Sequence, residues 1–474
     1  MSLPFFSSEG EYSHQAHIRR LVFRFEQELS QGGSNFYLDP MSVEEILEYY
    51  RLRGDWDKAH RLMRFAVEQH PYSAEMYYRQ AAVEIERQAA PAALAAIGEA
   101  LRLDPAQPDF LLIQARAFML LNDWTAAREA LHRALDQTNE PAEVYYLMGR
   151  LHAEQNQASE AIKYYWQALQ IDAEVHEALY ELLHCLEFDA REAEGPGFCR
   201  RFLDDNPFSD HGWFCLGSQL QRAGLYEQAE QAYEYALIIR GNFLEAFHGR
   251  AESLINLEKY EVALGVLTEA IFLDPRHHQT LLLIGECYEQ LERFDQAQHY
   301  YHECTRLYPE LPEGWFGLGS LLETREMYIQ AVHFFRQALT CDGEYFDAWL
   351  RLADCEYELG NPESAFQALQ KAIQLDPGDI QLWTDWADRF LEEGKLDSAL
   401  HMVEQGLDIN PDAVVLIYRH AALLFKSGEP TEAFAQLENA LLLDFDRHSL
   451  LYDFCPQIVT LRPIQELIEQ YRKR

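Results

Sequence analysis

His299, His302 and Cys304 are the residues of this chain whose types and spacing come nearest to metal chemistry. Imidazole and thiolate are zinc ligands, and histidines three apart share one face of a helix. A complete site needs further ligands converging from elsewhere, and Tyr300 and Tyr301 between the histidines suit an ordinary helix surface. The His277-His278 pair falls in a turn and is no stronger a candidate. Carboxylates are abundant, 78 Asp and Glu in 474 residues, so acidic pairs arise by chance. Acid–base catalysis needs such a pair in a pocket that shifts its pKa. Neither a phosphate-cradling glycine loop nor a G-x-S-x-G nucleophile turn occurs. The expectation is a chain without catalytic residues, metal or cofactor.

What positions these side chains is a repeat. Ala59, Ala93, Ala127 and Ala161, then Ala229, Ala263, Ala297, Ala331, Ala365, Ala399 and Ala433 follow a 34-residue period, with Gly195 at the one missing step. A small residue at a fixed phase marks a point where two helices touch too closely for anything larger, and the period means a stacked array. Numbering the alanine as position 20 gives twelve units from Pro40 to Arg447 without insertion or deletion. Position 8 is mostly small (Ala81, Gly149, Gly217, Gly285, Gly319), as is position 27 (Ala66, Ala134, Ala236, Cys304, Gly406). Positions 4 and 24 carry bulk, as in Trp213, Trp315 and Trp349, and in Tyr165, Tyr233 and Tyr301. Positions 4, 7, 8 and 11 share a face of a first helix, and 20, 24 and 27 a face of a second, so large side chains fill what small ones leave open. Turn signals such as Arg53-Gly54-Asp55 separate the two, and prolines at position 32, among them Pro71, Pro207 and Pro309, stop the second. No stretch alternates as a strand would. The chain is predicted to be all helical.

Trp213-x-x-Leu216-Gly217 and Trp315-x-x-Leu318-Gly319, each followed by the spaced alanine, aromatic and small residue, resemble the tetratricopeptide repeat. The resemblance covers Pro40–Arg447 and implies an all-α, right-handed α-solenoid of twelve helix-turn-helix units. It also implies that first helices line a concave groove while second helices form the convex back. The entry segment from Asn35 to Pro40 and the closing segment around Ile464–Tyr471 are similar to bacterial scaffolds of this family with no assigned role. Residues 1–39 are expected to hold one capping helix, with Ile18, Leu21, Val22, Phe25 and Leu29 on its apolar side. Residues 40–447 are the tandem units, and 448–474 one closing helix begun at Pro463 and ended by Arg472-Lys473-Arg474, cations suited to the helix dipole.

The formal net charge of −39 argues against nucleic acid and anionic membrane as partners, since both demand clustered cations. The opening Met1-Ser2-Leu3-Pro4-Phe5-Phe6 lacks the cationic start and long apolar core of a secretory signal, and no stretch reaches bilayer length. The eight cysteines show no C-x-x-C pair or framework spacing, which suits a reducing cytoplasm. A cytoplasmic location is expected.

On the implied groove, positions 2, 5, 9 and 12 should point inward. Position 5 reads Tyr78, Leu112, Tyr146, Tyr180, Phe214, His248, Leu282, Phe316, Leu350, Thr384 and Tyr418, a ladder of aromatic and aliphatic groups. Part of it must pack adjacent repeats, and the remainder suits a partner's anchors. Position 9 runs from Arg116, Arg150 and His184 to Glu252, Glu286, Asp354 and Asp388, which predicts a basic stretch followed by an acidic one. Chaperone-tail clamps of this family carry lysine at position 5 with asparagine at 9, a combination absent from every unit. In the fifth unit, Gly195-Pro196-Gly197 reads either as the first turn of a shortened helix or as a hinge.

The expected role is a non-catalytic scaffold that binds a protein or peptide with a basic segment along the groove. The alternatives are a regulatory or assembly subunit of a multiprotein enzyme complex, or a self-assembling array. The sequence leaves the oligomeric state open.

Overall fold

The computed structural model describes residues 8–31, 36–456 and 461–472. Met1–Phe6, Asn35 of the entry segment, and Lys473 and Arg474 of the closing cations lie outside the described residues. Among the described residues there are twenty-seven α-helices and no strand. The helices from Pro40–Arg51 to Pro430–Leu443 alternate as twelve pairs in phase with the 34-residue period.

Each pair turns on one left-handed residue at position 15: Gly54, Gln88, Asn122, Asn156, Ala190, Gly224, Glu258, Glu292, Glu326, Gly360, Gly394 and Gly428. Their φ values run from 52° to 84°, a region easy for glycine and uphill for alanine or glutamate. All eleven position-20 alanines are fully buried. Where position 8 is glycine, position 24 is an aromatic ring lying against it. A Cβ on Gly149, Gly217, Gly285 or Gly319 would come within 3 Å of Tyr165, Tyr233, Tyr301 or Phe335 respectively. The position-4 tryptophans tie down the inter-repeat turn at position 32. Trp213, Trp315 and Trp349 donate their indole N–H to the carbonyls of Pro207, Pro309 and Gly343, each at 2.9 Å. Together these contacts explain why a 34-residue motif closes on itself so regularly.

The fifth pair reverses the knob and the hole. Leu183 stands at position 8 and Cys199 at position 24, both buried. Its second helix, Gly195–Asp205, has 11 residues against 14 in its neighbours Ala158–Ile171 and Tyr226–Ile239. A short 3₁₀ turn, Glu192–Glu194, precedes it, and Pro196 sits in its first turn, where a missing N–H leaves nothing unsatisfied. Gly195 is helical and pressed against the Gln219 side chain, so an alanine there would require that side chain to move.

The chain divides into two compact units, Met1–Leu257 and Glu258–Arg474. In the first, the helix Ser8–Gln31 covers the first pair, burying Val22 and Phe25 against Val43, Ile46, Tyr50 and Ala59. Pairs two to six follow, then the first helix of the seventh, Leu244–Asn256. First helices pack on their own partners and also side by side, so they form one wall of the unit. The second unit starts at Tyr260–Leu273 and repeats the arrangement through the twelfth pair. Residues 448–474, read from sequence as one closing helix, hold two among the described residues: Ser449–Phe454 and Arg462–Arg472. The first is six residues long, too short to display an amphipathic period. Leu451, Cys455, Ile464 and Ile468 cover the last pair as a cap does.

Candidate functional site

The candidate surface is the first-helix wall, taken unit by unit. In the first unit the position-5 rings lean on aromatic rings of the pair that follows. Tyr78 stacks on Phe110 with centroids 5.2 Å apart, Tyr180 meets Phe214 edge-on at 6.4 Å, and Phe214 tilts against Phe243 at 4.9 Å. Tyr78, Tyr146, Tyr180 and Phe214 remain half-buried, with one edge packed and one open. Leu112 is buried, and so is His248, only 3% exposed. The expectation that His248 touches a partner is therefore corrected: its ring sits inside the helix packing, out of reach of another chain.

The basic stretch expected in this unit is also corrected in part. Arg116 donates to Glu86 at 3.2 Å and Arg150 to Glu154 at 3.3 Å, so each guanidinium is already neutralised by a neighbour. His184 is exposed. Along position 2, Glu75, Asp109, Glu143 and Glu177 add exposed carboxylates beside the tyrosines. The result is an aromatic wall edged by acids. Glu252 accepts a hydrogen bond from the Gln221 amide at 3.0 Å.

In the second unit Phe316 is half-buried and tilts against Phe335 and Tyr345. Leu282 and Leu350 are half-buried, whereas Thr384 and Tyr418 are buried. Glu286 lies half-buried one turn from Glu289. Asp354 pairs with Arg389 at 2.8 Å, and that guanidinium rests near the rings of Tyr357 and Trp386. Asp388 pairs with the buried Arg419, which lies under Phe454 at 4.3 Å. Burial pulls the Arg419 pKa down to about 10. At the twelfth pair the closing segment covers the wall, and the Tyr418 hydroxyl donates to the Asp444 carbonyl at 2.9 Å.

Three acids of this wall are poised above the usual carboxylate range, and burial is the main cause for each: Glu289, Glu323 and Asp354. Hydrogen bonds donated by Tyr301 and Ser320 pull Glu289 part of the way back, as Arg351 does for Glu323. Glu289 and Glu323 were absent from the sequence-based candidates. Both occupy position 12, so the signal was glutamate recurring one period apart on the inward face.

The metal candidates disperse. His299 and His302 are exposed and Cys304 is buried, so the thiol turns into the core while the imidazoles face out. Among the described residues no group of three or more His, Cys, Asp or Glu is placed to hold a metal ion. Burial raises the Cys304 thiol to about 11, which keeps it protonated. No helix among the described residues is long and apolar enough to cross a membrane.

Comparison with known proteins yields models described as tetratricopeptide repeat over residues 324–384, and over 47–108 and 112–176. A model described as anaphase-promoting complex, cyclosome, subunit 3 matches residues 200–304. Protein bimA of Emericella nidulans is 20% identical over 162 residues, 34% of this chain; the match spans 20% of that relative's length. Among solved structures, the Cut9-Hcn1 hetero-tetramer of the APC/C aligns at 15% identity over 90% of this chain and 94% of that one, with a TM-score of 0.41. A thermophilic repeat protein of Thermus thermophilus aligns at 22% identity over 39% of this chain and all of its own, with a TM-score of 0.36. YrrB, described as having an unusual peptide-binding site, aligns at 21% identity over 39% of this chain and 94% of its own, with a TM-score of 0.29.

Proposed function

The chain is a tetratricopeptide repeat protein, and on that premise we propose that it is a non-catalytic scaffold gripping another protein along its first-helix walls. The observation that carries this reading is the row of half-buried aromatic edges, Tyr78, Tyr146, Tyr180 and Phe214, on helices whose opposite faces are fully packed. Partly open aromatic rings on a rigid wall are the usual anchors of an interface. In the second unit, Phe316 supplies the anchor and Glu286, Glu289 and Glu323 the charge. A partner segment with lysine or arginine fits there, because Glu286, Glu289 and Glu323 bring three carboxylates to this wall, with Arg351 paired to Glu323 at 3.7 Å, while Arg389 and Arg419 pair with Asp354 and Asp388. Charge of this kind sets encounter rate and register more than affinity. We place the protein in the cytoplasm, without a cofactor and without nucleic acid as ligand.

The test is affinity capture by the intact chain, compared with Tyr146→Ala plus Tyr180→Ala and, separately, Glu286→Lys plus Glu323→Lys. The aromatic pair should lose the captured protein by about tenfold or more, since anchor truncations typically cost over 1 kcal/mol each. The charge pair should slow association and flatten its salt dependence. Undiminished capture by both variants would overturn the proposal.

A second reading rests on the match of residues 200–304 to a subunit model and on the bimA likeness: the chain acts as an assembly subunit of a larger complex. Native mass determination of the endogenous protein separates the two. A stable, stoichiometric assembly favours the subunit, self-association points to an array, and a monomer with an exchangeable partner favours the scaffold.

A further inference from the structure

We infer that the seam between the fifth and sixth helix pairs is a pH-sensitive joint, held closed by the neutral ring of His211 and loosened when that ring takes up a proton. His211 stands at the start of the helix Asp210–Arg222, and groups from three sides close on it. The His176 ring, from the turn before Glu177–Phe188, stacks on it with centroids 3.9 Å apart and planes within 10°. The Tyr180 hydroxyl lies 2.8 Å from Nδ1, and the Arg240 guanidinium 3.3 Å from Nε2. Arg240 is itself fixed, by Asp210 at 2.8 Å and by the face of Phe243 at 3.5 Å.

This arrangement selects one protonation state. A guanidinium has donors only, so the nitrogen facing it must offer a lone pair. The ring proton then sits on Nδ1 and is donated to the Tyr180 oxygen, whose own proton reaches the buried Cys215 thiol. The links made by Tyr180 join the fifth pair to the sixth, while Arg240 holds the ring from within the sixth. A second ring proton would set N–H against N–H at Nε2 and place a cation beside Arg240, with His176 stacked on the other face.

The remaining charged neighbours are acids. Asp210 and Glu177 favour the protonated ring, and Glu174 and Asp205 line the adjoining cleft of about 320 Å³. Asp210 is engaged by Arg240, and the balance goes against the proton: burial, His176 and Arg240 together hold His211 below the ordinary imidazole value. The native joint therefore binds this proton less readily than the unfolded chain. Its stability is complete at neutral pH and falls as pH drops below about 6.5 toward the native value. The second helix beside this seam is the shortest of the twelve, so fewer other contacts compensate.

Hydrogen exchange on the full chain at about pH 7.5 and about pH 5.5, corrected for the intrinsic rate, reads the joint directly. Relative to Pro108–Leu120, protection across Glu177–Phe188 and Asp210–Arg222 should fall on acidification by up to about tenfold, the limit set by going one pH unit below the free imidazole value. His211→Gln keeps an amide donor and acceptor without titrating, and should abolish the fall. Arg240→Leu keeps the imidazole and removes its opposing cation, so the midpoint should move up toward the ordinary histidine value. A pH response that survives in His211→Gln overturns the inference. If that variant does not fold, an unmoved midpoint in Arg240→Leu overturns it equally.

Discussion

Tyr233 in the first unit and Tyr301 in the second sit in the same cradle but meet different acceptors. Each ring lies between two glycines, one at position 8 of its own pair and one at position 6 of the next. These are Gly217 and Gly249 around Tyr233, and Gly285 and Gly317 around Tyr301. Both hydroxyls donate at 2.9 Å to position 12, which is the neutral Gln221 in one unit and Glu289 in the other. Tyr165 shows the incomplete form: it has Gly149 beside it, but position 12 is Ala153 and its buried hydroxyl has no hydrogen-bond partner. The same ring-on-glycine contact has thus been combined with an amide, a carboxylate and nothing at all. The comparison separates what the array needs mechanically from what it does with charge.

The mechanical half should give the largest effects. Gly249→Ala and Gly317→Ala each put a methyl group into a tyrosine ring, and both should cost about 1–3 kcal/mol through overpacking. Gly98→Ala, in a helix where an added Cβ meets nothing within 4 Å, should instead gain about 0.5–1 kcal/mol from backbone propensity. Denaturant midpoints and local hydrogen exchange measure all three, the latter because stacked repeats need not unfold as one. If alanine is tolerated at one cradle and not at the other, the two units do not share a mechanical rule.

Removing hydroxyls comes next in size. Tyr233→Phe and Tyr301→Phe should each lose about 1 kcal/mol, since a part-buried acceptor is left without its donor. Tyr165→Phe should be neutral or gain up to about 1 kcal/mol, because it deletes a buried group that has no partner. A loss at Tyr165 equal to the other two would show that the hydroxyl has a partner in solution. It would also remove the distinction drawn between the three rings.

Much of this was legible in the sequence, and the reason is chemical. A ring at position 24 with glycine at position 8 leaves a mark in residue type, so the helix pairs, their buried alanines and the first-helix face could be read from spacing alone. Charge pairing leaves no such mark. Arg116 reaches Glu86, 30 residues away, and Arg389 reaches Asp354 across 35, and nothing in one unit's own pattern says which neighbour will be chosen. The same holds for His248, whose position suggested an open wall but whose burial depends on how closely the adjacent helices stand. Gly249, at position 6 of the same helix, is one sign of that closeness. The shorter closing helix, Ser449–Phe454, was missed because its six residues are fewer than two turns.

The smallest effect tests the charged half of the comparison most directly. Glu289→Gln gives the second cradle the acceptor of the first while keeping its shape. The amide oxygen still receives Tyr301, and the Ser320 hydroxyl, now donating at 3.2 Å, can turn to accept. Burial raises the Glu289 pKa, so the native state holds its proton more tightly than the unfolded chain does. A carboxyl of that kind contributes fully below its unfolded value, near 4.5, and the contribution disappears as pH rises through the native value. The variant and the parent should therefore be equally stable in acid, with the variant ahead by a few tenths of a kcal/mol at neutral pH. A parent that is the more stable of the two at neutral pH would mean that the carboxylate strengthens the cradle. The wall of the second unit would then owe its acids to packing, and the case for a basic partner there would weaken with it.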